Sequence, residues 1–142
     1  MQKTSQRIAA VGATAAAIFI ATSTVNAHAI GSGGHAGCAV NGVDGRGFFK
    51  NWTHNSAKIS LVTYDTQQDH RHVAIRLISK KDYDGKIRYW AWHHNRKGYN
   101  KKDVVETSAS TGKSGLSYIG IQAAVMDGTR VVKSCKAWGQ GT

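Results

Sequence analysis

Six histidines, at positions 35, 54, 70, 72, 93 and 94, lie beyond the first 29 residues of this 142-residue chain. Histidine is the side chain most suited to proton transfer near neutral pH and to metal ligation. A phosphodiesterase of the ribonuclease type needs a base, an acid and a cation to hold phosphate, and His72, His93, His94, Lys86 and Arg88 supply those types. A zinc site needs converging ligands. On strands, His70 and His72 share one face while His93 and His94 point to opposite faces, and no spacing matches a zinc motif, so neither a metal nor a cofactor is expected. Asp65 with Asp69, or Asp82 with Asp84, are the carboxylate pairs a glycosidase would require. The latter two belong to a turn, and Glu106 is the only glutamate in the chain. Ser114-Gly115 sits in no nucleophile elbow. A basic strand pair displays His, Lys and Arg on a solvated face whether or not any reaction occurs, so no catalytic set is assigned.

The second chemically notable cluster is aromatic, Tyr89-Trp90-Ala91-Trp92 followed by Tyr99. Strict alternation places Trp90 and Trp92 on one face with Arg88 and His94, and Tyr89, Ala91 and His93 on the other. If Ile87, Tyr89 and Ala91 point inward, Arg88, Trp90 and Trp92 form an exposed aromatic and basic strip that can stack on a sugar, a base or a partner's side chains. If the Trp face is buried instead, it supplies core volume. Burial is favoured because the chain has few other large apolar groups.

The elements that must position these residues alternate at period two, with turns made by Gly, Asn and Asp in a chain that contains no proline. Ile59, Leu61, Val73, Ile75 and Leu77 are the expected core. Asp84-Gly85 predicts a reversal that pairs residues 71–80 with 86–94, and Asp127-Gly128 predicts a second hairpin with arms 116–126 and 129–138. A further strand is expected at 103–108, with loops at 95–102 and 110–114. Six to seven short strands read as an all-β, compact antiparallel sandwich or partly open barrel.

Residues 1–29 read as a secretory signal: Lys3 and Arg7, then an apolar run over 8–21, then Ala27-His28-Ala29. Cleavage after Ala27 or after Ala29 satisfies the pattern, and the run is too short and too rich in Ala and Gly for a bilayer span. Secretion to the extracellular space without a membrane span after signal removal is therefore expected. Residues 30–37 (Ile30, Gly31, Ser32, Gly33, Gly34, His35, Ala36, Gly37) form a glycine-rich lead expected to be flexible, and 38–142 a single β domain. Cys38 and Cys135, the only cysteines, bracket nearly every strand and are expected to form a disulfide between the first and last strands. Cysteines at the extremes do not fit the immunoglobulin pattern. The signal carries two of the 19 cations and none of the 8 acids, which leaves a strongly basic domain. Such charge favours nucleic acid, an anionic cell-wall polymer or an acidic protein partner.

Residues 72–79 (HVAIRLIS), 89–93 (YWAWH), Gly98-Tyr99, 121–129 (IQAAVMDGT) and 134–138 (SCKAW) resemble a family of small secreted actinobacterial β-proteins, similar to the adaptor subunit of umbrella toxin particles. The resemblance covers most of the chain after the lead. It implies a non-enzymatic adaptor that joins a lectin-type subunit to a large stalk protein bearing the toxin domain, with the lead, residues 30–37, donated as a strand to the lectin partner. The alternatives from the residues alone are a small basic secreted nuclease or toxin, and a cationic cell-surface or carbohydrate binder.

Overall fold

A computed structural model describes residues 32–141; the expected signal, Ile30 and Gly31 lie outside them. The described chain is all-β, with its strands in two antiparallel sheets that face one another and do not close into a barrel. In order they are β1 (Ser32–Val40), β2 (Val43–Trp52), β3 (Ser56–Asp65), β4 (His72–Lys80), β5 (Arg88–Tyr89), β6 (His93–Asn95), β7 (Lys102–Ser110), β8 (Tyr118–Asp127), β9 (Arg130–Trp138) and β10 (Gln140–Gly141). The first sheet runs β10-β1-β2-β3-β7. The second runs β5-β4-β8-β9, with β6 also on β4. Seven of these strands have nine or ten residues, and β4, β8 and β9 lie close to the expected arms 71–80, 116–126 and 129–138.

Alternation builds the core. Ile59 and Leu61 from the first sheet meet Ile75, Leu77, Ile119 and Ile121 from the second, and Phe49 and Trp52 fill the space between. All five expected core residues are buried to 3% exposure or less. Trp52 is the fully buried tryptophan, and its indole Nε1 donates to the Leu116 carbonyl at 2.6 Å, which satisfies the one polar atom that burial would strand. A second cluster, Val43, Val73, Ala123 and Val125, surrounds the Cys38–Cys135 disulfide. That bridge spans a sequence separation of 97 and ties β1 to β9 across the two sheets, with 5.9 Å between the Cα atoms.

From Ser32 onward, the lead expected to be flexible is strand. Gly34, Ala36 and Cys38 lie opposite Phe49, Gly47 and Gly45, and Gly34 and His35 also pair with β10. Close approach of the sheets explains the small residues of β2. A Cβ on Gly45 would come within 2.5 Å of the Ala123 side chain, and one on Gly47 within 2.6 Å of Ile121. These glycines set the packing distance between the sheets rather than loosening the chain.

Candidate binding face

The 71–80/86–94 hairpin forms, but with an irregularity that repositions the aromatic cluster. Ile78 pairs with Tyr89 and Ile75 pairs with His93, so three steps along β4 face four steps on the returning arm. One extra residue is inserted, a bulge that reverses the alternation after Trp90. The expected same-face placement of Trp90 and Trp92 is thereby corrected. Trp90 packs against the inner core and donates its Nε1 to Ser79 Oγ at 3.0 Å, while Trp92 covers Ala74, Ala124 and Met126 on the outer face of the second sheet. Tyr89, not Trp90, accompanies Trp92 outward.

That outer face is organised by stacked cations. The Arg76 guanidinium lies 4.2 Å from the ring centroids of both Tyr89 and Trp92, and its Nε donates to Gln122 Oε1 at 2.8 Å. Gln122 in turn donates to Ser134 Oγ at 3.1 Å, and Lys136 donates to the Tyr89 hydroxyl at 2.7 Å. Lys80 sits 4.7 Å from the Trp138 ring, 5.8 Å from Tyr118 and 5.7 Å from Tyr83. On the opposite side of the sheet, at the hairpin end, Arg88 lies over Trp90 at 4.3 Å. Cation–π contacts of this kind contribute about 0.5–1 kcal/mol each at exposed sites and more where water is excluded. Several in sequence hold the side chains of the face in fixed positions before any partner arrives.

The histidines do not assemble as a proton-transfer set. His72 Nε2 and His94 Nδ1 are 2.9 Å apart on the outer face, sharing one proton between two rings. Burial first and then Arg96 hold both below the usual histidine range, with His94 adding to the effect on His72 and His93 to that on His94. His93 pairs in register with the inward Ile75 and so faces the other side of the sheet, and His70 lies in the loop before β4 rather than on its face. Lys86 and Arg88 stand at the far end of the hairpin. Arg88 is opposite Ser79 and His94 is opposite Ala74, five residues or about 17 Å apart along the strand. A single phosphate cannot bridge that gap. The carboxylates proposed for a glycosidase cap turns: Asp65 Oδ1 accepts from the Gln67 amide at 3.2 Å and Asp69 Oδ1 from the Arg71 amide at 2.9 Å. Among the described residues no three His, Cys, Asp or Glu side chains converge as a metal site.

Of the residues expected to bind a partner, Arg88 and Trp90 lie at the hairpin end, Trp92 lies on the outer face, and Ser32, Gly33, Gly34 and His35 belong to β1. Sequence reasoning missed Arg76, Lys80, Tyr118, Lys136 and Trp138, although Arg76, Lys80 and Tyr118 alternate on β4 and β8 in a way that a register would reveal. No known protein-family model matches this chain, and no curated protein is similar to it.

Proposed function

We infer that the protein is a secreted, non-enzymatic binding module, the adaptor of an extracellular protein assembly, and that it docks its partner through the outer face of the second sheet. The observation that carries this reading is the composition of that face: Arg76, Tyr89, Trp92, Lys136, Lys80 and Trp138 stacked on one another, with no acid among them. Arg, Tyr and Trp are the residue types that dominate the energetics of protein interfaces, and rings already fixed by stacked cations lose little freedom on docking. The uniform charge selects a partner with an acidic surface. The resemblance to toxin-particle adaptors supports the same reading and points to a lectin-type subunit and a stalk protein as partners. The disulfide fits an oxidising, extracellular setting.

We place the docking on this face rather than on the lead because the residues from Ser32 onward pair with β2. A nuclease would need His72, His93 and the hairpin cations to meet, and their separation counts against it. Affinity capture of the tagged protein from the culture fluid of its native producer, followed by mass spectrometry, tests the reading. The expected result is recovery in fixed stoichiometry with larger secreted proteins; recovery of free monomer alone would overturn it.

A further inference from the structure

At the end of the sandwich, where the 80–88 turn approaches the 111–115 loop, a cleft of about 360 Å³ is lined by Ser79, Lys80, Lys81, Lys86, Arg88, Thr111, Gly112, Lys113 and Gly115. Five of those nine residues are cations and none is an acid. Among the described residues none of the five is in a salt bridge; the ion pairs lie elsewhere, at Arg46–Asp44, Lys97–Asp103 and Arg130–Asp127. Only Asp82 and Asp84, in the same turn, stand near these five cations, so the cleft keeps an excess of positive charge within about one Debye length, which an anion between the cations relieves. The cleft is also built rather than incidental. Lys80 is held against the Trp138 and Tyr118 rings, Arg88 is held on Trp90, and the Thr111 hydroxyl donates to the Lys113 carbonyl at 2.6 Å, fixing the loop that carries the fifth charge.

The geometry points to this cleft as a binding site for closely spaced phosphate groups on a flexible, base-free anionic polymer, a polyol-phosphate chain of the cell-wall type. Phosphate is selected by the density of positive charge. A base-bearing strand is disfavoured because no aromatic ring lines the cleft: Trp90 packs against the core under Arg88, Trp138 lies against Gly120 under Lys80, and the exposed Tyr83 of the bordering turn is set edge-on to Tyr118 outside the lining. The site shares Lys80 with the proposed protein-docking face and otherwise lies apart from it. It would hold the assembly at an anionic surface.

The test uses the full secreted protein and a variant in which the exposed Lys81, Lys86 and Lys113 are all changed to Gln, with Lys50→Gln, Lys58→Gln and Lys102→Gln on the first sheet as the control of equal charge. Binding of short-chain inorganic polyphosphate, of a glycerol-phosphate oligomer and of an oligothymidylate is measured by calorimetry at several salt concentrations. The first two are expected to bind saturably, the cleft variant to lose at least about tenfold in affinity at about 0.15 M salt, and its slope of log affinity against log salt to fall by roughly 2. The control variant should stay near the parent. Equal losses in both variants, tighter binding of oligothymidylate than of either base-free polymer, or no saturable binding would overturn the assignment. Because the variant leaves Arg76, Tyr89, Trp92 and Lys136 intact, capture of a protein partner is read independently.

Discussion

The two sheets bury similar apolar inner faces, yet they show solvent two different surfaces. The first sheet carries four cations, Arg46, Lys50, Lys58 and Lys102, against four acids, Asp44, Asp65, Asp103 and Glu106. The second carries six, Arg76, Lys80, Arg88, Arg130, Lys133 and Lys136, against Asp127 alone. Among the strands, the excess of positive charge thus lies on the second sheet. Aromatic rings largely follow the charge: Tyr89, Trp92, Tyr118 and Trp138 stack with cations of the second sheet, whereas the first sheet has a single looser contact among the described residues, Arg46 at 5.9 Å from the Tyr64 ring. A surface charge that served solubility alone would be spread over both sheets; its bias toward the ring-bearing face of the second sheet is what the proposed docking rests on.

Breaking the staple between the sheets should have the largest effect. Replacing Cys38 and Cys135 with Ala removes a cross-link over a separation of 97 residues, with an expected loss of about 4–5 kcal/mol in urea unfolding. Closing the sheets too tightly comes next. Gly45→Val forces a side chain into the space held by Ala123 and Ile75 and should cost about 3 kcal/mol, whereas Gly98→Asn, in open space but at φ +95°, meets backbone strain alone and should cost about 1–2 kcal/mol. On the outer faces, Arg76→Met removes the cation shared by Tyr89 and Trp92 and should cost about 1–2 kcal/mol. Lys58→Gln on the first sheet should stay within about 0.5 kcal/mol.

The smallest expected effect is a pH dependence confined to the second sheet. The folded protein holds His72 and His94 below the unfolded value of 6.5, so the unfolded chain binds more protons as the solution is acidified. Stability is therefore fully present above that value and falls as the pH drops through the folded values. His72→Gln with His94→Gln should flatten the profile between about pH 7 and pH 5, measured as the urea midpoint. A profile unchanged by the double variant would show that the pair does not titrate as its geometry requires.

Much of this architecture was readable from alternation and turn chemistry. The Asp127-Gly128 turn, with Gly128 at φ +61°, joins β8 to β9, and the five expected core residues lie inside. The β2 strand was harder because Gly45 and Gly47 break its apolar pattern, although Asn41-Gly42, with Gly42 at φ +109°, is a hairpin signal that marks its start. The lead was misread for the same reason: small residues in β1 signify close packing across the sheets, and composition alone cannot distinguish that from flexibility. The face was legible in its residue types but not in its membership. Period two fails at a single inserted residue, which sends Trp92 outward and Trp90 inward, and cross-strand registers then bring Arg76, Lys136 and Trp138 together from distant parts of the chain.

The central claim is that one sheet face binds the partner, and charge reversal on each sheet tests it most directly. Lys136→Glu reverses one exposed charge on the outer face of the second sheet, and Lys58→Glu makes the same change of charge on the first. Both variants and the parent are tagged and passed through the producer's culture fluid, and the amount of co-purifying protein per molecule of bait is quantified. The account predicts stoichiometric recovery with the parent and the first-sheet variant, and loss of at least about tenfold with the second-sheet variant. Equal recovery by both variants, or loss with the first-sheet variant alone, would contradict it.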